Sequence, residues 1–197
     1  MGRRNIHSSK QLEELILATT EKIVEKDGFQ KLSARGIAST IGYSVGTLYN
    51  AFENLDEIIS IVNLRTLDRL HEKLKESLKK SSGTIDSIVD LARCYIDFWI
   101  INDQLANMLF NYSVPRNQDY PRWKQEKIDD LFKNVTNALI PILKNNKLAG
   151  TAASVLWAGL HGICNLTLSG RMTYVSPESA YYLAESFVKG YLTGMIS

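Results

Sequence analysis

YSVGTLYNAF, residues 43 to 52, has the spacing of a helix but too many polar side chains for one buried on all sides. Leu48 and Phe52 stand four apart, which puts them on one face, while Thr47, Tyr49 and Asn50 carry polar tips on the other. Ser44 is placed to cap this helix, predicted to run from 44 to about 52. Just upstream, Ser33 can cap a second short helix reaching about residue 40, and Gly42 allows the turn between the two. A helix, a tight turn and a short second helix make a helix-turn-helix, whose second helix enters the DNA major groove. Ile37, Ala38 and Ile41 would then join Leu48 and Phe52 in a small core, leaving Val45, Thr47, Tyr49 and Asn50 to point outward. Thr47 offers a hydroxyl and a methyl, Tyr49 an aromatic edge with a phenol, and Asn50 an amide able to pair with adenine.

Helical spacing extends in both directions from this unit. Upstream, Leu12, Leu15, Ile16, Thr19 and Ile23 mark one buried face, Ser8 and Gln11 can form a capping box, and Gly28 is placed as the stop. Downstream, Asn54 and Glu57 form a second capping box that opens a long helix to about residue 80, where KKSSG breaks the period. Beyond Thr84 lies a helix apolar nearly all round, relieved only by the stripe Asp86, Asp90, Arg93 and Asp97, and it is expected at the centre of a second domain. Further helices are predicted over 103 to 112, 123 to 143 with a kink at Pro141, 151 to 168, and 177 to 195 with Ser176 as cap; SVPRNQDYP, residues 113 to 121, reads as a loop. About nine helices and no convincing strand pair make the chain all-α, divided into 1 to 54 and 55 to 197.

Composition excludes several classes. The chain has 197 residues, 45% hydrophobic and 22% charged, enough for a sizeable core. Its most apolar runs are short and contain His161 and Asn165, or Asp90, Arg93 and Asp97, so no membrane span is expected, and the N-terminal MGRRNIHSSKQLEELI lacks a signal core. The cytoplasm is the expected location. Cys94 and Cys164 match no metal spacing and read as buried thiols, and His7, His71 and His161 are too scattered for a metal site. No nucleotide-binding glycine loop, serine elbow or His-Glu metal helix is present, so neither catalysis nor a cofactor is expected. Net charge is only +2, yet every charge before Leu12 (Arg3, Arg4, Lys10) is positive, as in an arm that follows a phosphate backbone.

LSARGIASTIGYSVGTLYNAFENLDEI, residues 32 to 58, resembles the helix-turn-helix signature of the tetracycline-repressor (TetR-like) family, matching at Ile37-Ala38, Gly42, Ser44, Gly46-Thr47-Leu48-Tyr49 and Phe52. The resemblance implies a homodimeric transcription regulator, most often a repressor, whose DNA-binding head sits on a larger helical domain that dimerises and binds a small inducer. It adds Arg35 as a base or phosphate contact and completes the candidate DNA set of Ser33, Arg35, Val45, Thr47, Tyr49 and Asn50. Two positions depart from the family. Leu55 replaces a phosphate-contacting lysine, leaving only backbone N–H groups there, and Gly36 replaces an acid, which predicts a slightly loose second helix. The competing reading is a helical protein-interaction module without DNA affinity.

WAGLHGICNL, residues 157 to 166, resembles the Trp-His-Gly group of TetR-like ligand domains. Ala158 and Gly162 leave one helix face smooth, and Gly190 and Gly194 do the same on the last helix; together with Phe187 they form the expected four-helix dimer interface. Tyr95, Trp99, Phe110, Trp123, Trp157 and His161 are candidates to line an aromatic pocket, with plain core as the competing role. Charges beyond residue 80 cancel, which favours an apolar or aromatic ligand of little charge.

Overall fold

The computed structural model describes residues 8–80, 82–112, 122–169 and 176–196. The basic residues Arg3 and Arg4 and the segment 113–121 lie outside the described residues. Nine α-helices and one 3-10 turn, Phe29–Lys31, account for the regular structure among the described residues, with no strand. By contacts the chain divides into Met1–Leu67 with Gln104–Gln118, and Asp68–Asp103 with Asp119–Ser197. That division does not fall at residue 54, because two later segments contribute to the first unit.

In the first unit, α1 (Ser9–Asp27) begins at the expected capping box, with the Gln11 N–H donating to Ser8 Oγ and the Ser8 N–H to Gln11 Oε1. It stops at Gly28, whose φ of 78° suits a residue without a side chain. Helix α2 (Ala34–Ile41) is capped by Ser33 and ends at Gly42 in the left-handed region, φ 73°. It is continuous through Gly36, whose N–H donates to Ser33 Oγ at 3.1 Å. Helix α3 (Val45–Tyr49) ends earlier than its apolar spacing predicts, because the Ala51 N–H tightens onto the Leu48 carbonyl three residues back, at 3.1 Å, and the chain turns there. Helix α4 (Leu55–Lys79) starts at Asn54, which accepts from the Glu57 N–H; the Glu57 carboxylate bonds the Glu53 N–H rather than that of Asn54.

One core joins these helices: Ile16, Leu17 and Val24 of α1, Ile37 of α2, Leu48 and Phe52 around α3, and Ile58, Ile59 and Val62 of α4. Arg65 adds a two-pronged bond to Glu14, at 2.9 and 2.5 Å, between α4 and α1. Helix α6 (Asp103–Asn111) was not expected in this company. Its Leu105 and Met108, both 0% exposed, belong to the same core, Tyr112 meets the Phe29 ring edge-on at 6.2 Å, and the Tyr112 hydroxyl donates to Asp56.

The second unit contains the C-terminal part of α4, α5 (Ile85–Ile101), α7 (Arg122–Leu143), α8 (Asn146–Ser169) and α9 (Pro177–Ile196), with α7 packed along α8 and α5 along α9. Eight residues of α5 are buried, from Ile88 to Trp99, which bears out its apolar reading. Its polar stripe turns to α9: Arg93 pairs with Glu185 at 2.6 Å, Asp86 with Lys189 at 3.3 Å, and Asp97 accepts from Tyr181 at 2.7 Å. These groups are largely solvent-facing, so they set register more than stability. Helix α8 begins five residues before the predicted start, because Asn145 caps it by accepting from the Leu148 N–H at 3.1 Å. Gly159 brings α8 against α9 so closely that a Cβ there would lie 2.3 Å from the Phe187 ring.

Truncating α6 tests the core it joins. Leu105→Ala or Met108→Ala should each cost about 2–5 kcal/mol, and hydrogen exchange should show lost protection in α1 to α3 rather than only near the substitution.

Candidate nucleic-acid interface and apolar cavity

Only five residues form α3, too few to hold helical shape in water alone. Two constraints supply the deficit. Leu48 is 0% exposed in the core of the first unit, and Ser44 Oγ accepts the Thr47 N–H at 3.1 Å. With the inner face fixed, Tyr49 stands 44% exposed and Asn50 is exposed, as are Ser33 and Arg35 at the start of α2. Val45 and Thr47 are half-buried, so the outward set is not uniformly free. The Thr47 hydroxyl also lies 2.9 Å from Ser44 Oγ, leaving its methyl as the cleaner reading surface. Ser33 Oγ accepts from Gly36, and its own O–H remains able to donate. Gly46 is exposed, and a Cβ there would meet nothing nearer than 3.7 Å; the missing side chain lets another surface approach the α3 backbone. At the start of α4, two backbone amides are taken by Asn54 and Glu57, which removes part of the anion-binding capacity expected beside Leu55.

The second unit holds an apolar cavity of ≈ 60 Å³ among α4, α5, α7 and α8. Tyr95 and Trp157 line it, together with aliphatic side chains that include Leu74, Leu91, Leu131 and Val135. Phe132, on α7, also lines it and meets Trp157 at 5.6 Å between rings; its helical spacing from Ile128 and Val135 was the available signal. His161 stands behind this wall, stacked on Trp157 at 5.3 Å and 21°, 3.2 Å through Nδ1 from the Tyr95 hydroxyl, and 5.2 Å from the edge-on Trp99 ring. Trp99 is 1% exposed and supports the wall without lining it. Phe110 does not line the cavity, because α6 carries it into the first unit. The Trp123 side chain lies outside the described residues. Burial holds His161 below its ordinary pKa, hence neutral near pH 7, keeps the Tyr95 phenol protonated, and pushes the Cys164 thiol up to about 12. Cys94 is half-buried, with its thiol raised for the same reason.

On the remaining faces of α8 and α9, a Cβ at Gly162, Gly190 or Gly194 would touch nothing within 4 Å. Ala158 is exposed beside them, as are the large apolar Val155, Leu166 and Tyr182, which the sequence reading passed over. Phe187 differs from the other expected interface residues in that its ring end is spent on Gly159 of its own chain. Among the described residues no group of His, Cys, Asp or Glu is placed to hold a metal ion, and no helix is long and apolar enough to cross a membrane.

Comparison with known proteins agrees with this layout at both ends of the chain. Residues 16–60 match the model for bacterial regulatory proteins of the tetR family, and residues 88–190 match that for the tetracyclin repressor-like C-terminal domain. The chain belongs to the TetR family. It is similar to the nucleoid occlusion factor SlmA of Pectobacterium carotovorum, 21% identical over 152 residues that cover 75% of this chain and 73% of that protein. A TetR-like transcriptional regulator from Rhodococcus sp. RHA1 shares its fold with a TM-score of 0.69 at 17% identity, covering 98% of this chain and 99% of the other. The TetR family regulator PfmR from Thermus thermophilus does so with a TM-score of 0.64 at 16% identity, covering 90% and 97%. As a TetR protein the chain is a DNA-binding transcription regulator with a C-terminal ligand-binding domain, and not an enzyme.

The depressed His161 pKa makes acid stability a measure of its burial. A neutral histidine favoured by the fold contributes stability that is present above about pH 6.5 and is lost as pH falls toward its lower folded pKa. Urea unfolding of His161→Gln should therefore show a flatter stability profile than wild type between neutral pH and about pH 5.

Proposed function

We propose that this TetR protein is a homodimeric repressor of the cytoplasm, bound to a palindromic operator until an apolar or aromatic small molecule releases it. The observation that carries the DNA reading is the polarity of α3: Leu48 is sealed into the core while Tyr49 and Asn50 remain exposed on the opposite side, with Arg35 and Ser33 exposed at the start of α2. In this reading residues 1–54 form the functional head, Val45 and Thr47 contribute apolar contact, and residues 55–197 bind ligand and dimerise. Ala158, Gly162, Gly190 and Gly194 support a close helix interface, since small residues with open space around them leave a smooth face for a second copy. Phe187 buttresses that surface from within the chain. Tyr95 and Trp157 are the aromatic ligand contacts, with Trp99 and His161 holding them in place.

Gel shift and footprinting on DNA flanking the gene test the head. Thr47→Ala and Tyr49→Ala should each weaken specific binding by roughly 1–3 kcal/mol, and Arg35→Ala should flatten the salt slope by about one unit if it meets phosphate. Footprints unchanged in all three variants would refute the assignment. The half-sites should lie about 34–36 Å apart or a multiple of it, as two-fold symmetry requires.

Assembly and release have separate readouts. Gly190→Glu should sediment as a folded monomer; a variant that stays dimeric would move the interface elsewhere. Trp157→Ala should weaken the response to an inducing compound while the ligand-free protein binds operator normally, and operator should in turn weaken binding of that compound.

A further inference from the structure

Positive charge also gathers outside the DNA head. Residues 73–84 carry Lys73, Lys75, Lys79 and Lys80 against Glu76 alone, and residues 131–147 carry Lys133, Lys144 and Lys147 with no acid. The whole chain is only +2, so the rest of the molecule is net negative. Within this basic region an open groove of ≈ 430 Å³ runs between α4 and α7. Lys75, Lys79, Asn134 and Asn137 stand on its walls, and Leu78 and Pro141 give it an apolar floor. Among the described residues neither asparagine amide makes a side-chain hydrogen bond, and the one ion pair of Lys75, to Glu72 at 3.9 Å, joins two well-exposed groups. Glu76 does not line the groove.

The groove is placed directly beside the apolar cavity. Residues of α4 and α7 face each other in the same order along the chain, with Asp68 against Lys127, Leu74 with Leu131 and Val135 at the cavity, and Leu78 with Ala138 at the groove; beyond α4, Gly83 meets Pro141. Leu74 and Leu78, like Asn134 and Ala138, are four residues apart, a rise of about 6 Å. One small molecule can span that distance.

We propose that the ligand of this site is an amphipathic anion, with a carboxylate or phosphate held by Lys75 and Lys79 and an apolar body directed into the cavity beneath Tyr95 and Trp157. The inference rests on the ligand-binding reading above and changes its chemistry, since charge balance over residues 81 to 197 leaves out the lysines of α4. Ammonium groups attract the anionic head, the asparagine amides can donate to its oxygens, and the apolar floor takes the first methylenes. A nucleic-acid backbone would use the lysines but not the concave apolar floor, so the small amphiphile fits better.

Calorimetry on the full-length protein and on the Lys75→Gln/Lys79→Gln double variant tests this, with medium-chain carboxylates, the matched alcohols and inorganic phosphate as probes. Both lysines are exposed, so the variant should keep the wild-type circular dichroism and melting temperature. Wild type should bind one carboxylate per chain about tenfold or more tighter than the matched alcohol. The double variant should lose that preference while binding the alcohol as before, and phosphate alone should bind weakly. Equal binding of alcohol and carboxylate, no binding of either, or a preference that survives in the variant would overturn the proposal. So would a variant that loses only affinity for non-operator DNA. If the carboxylate binds as stated but leaves the operator complex intact in gel shifts, the groove assignment stands and the inducer role fails.

Discussion

The burial of Leu48 is the contact on which the DNA-facing surface depends. Helix α3 has five residues, and without tertiary contacts its hydrogen bonds would not offset the backbone entropy of ordering them. Leu48 anchors it to Ile16 of α1, Ile37 of α2 and Ile58 of α4 within one core. The Ser44 cap fixes where the helix begins, and the tighter bond from the Ala51 N–H to the Leu48 carbonyl marks where it ends. Once those three points are set, the exposure of Tyr49 and Asn50 follows from helix geometry and needs no further device.

The local features of the head were legible because each is written in a few adjacent residues. The Ser8, Ser33 and Ser44 caps and the stops at Gly28 and Gly42 act within one turn of chain, and all appear where the sequence places them. What escaped notice depends on contacts distant in sequence. Nothing in DQLANMLFN distinguishes a helix that belongs to the second unit from one that completes the core of the first; its apolar face is the same either way. For the same reason Phe110 read as a pocket residue, since aromatic density along the chain carries no information about which core receives a side chain. The early start of α8 was missed differently: Lys144 takes a positive φ of 51°, a conformation usually given to glycine, so the tight α7 to α8 connection had no glycine to announce it.

Two glycine classes that look alike in sequence have opposite surroundings. At Gly159 the space is already filled by Phe187 of the same chain, so this glycine serves the packing of α8 on α9. At Gly162, Gly190 and Gly194 the space is open, so intrachain packing gives no reason for the missing side chain. Only the second class leaves room for another subunit. The distinction cannot be drawn from spacing, because Gly159 and Gly162 lie three apart on neighbouring parts of one helix face.

The small size of the cavity bears on how a ligand could act. A compound shifts an equilibrium between two forms only by the difference in its affinity for them. The free space of the cavity is ≈ 60 Å³, so a ligand larger than that space would have to displace its apolar walls. Leu74 is one of those walls, and it lies on α4, the helix whose other half supplies Ile58, Ile59 and Val62 to the core that holds α3. If a form with an enlarged cavity binds the ligand better, that difference in affinity is the energy available for any change at Leu74. Tight binding to a cavity equally open in both forms would release nothing; only a difference between the forms gives a ligand leverage.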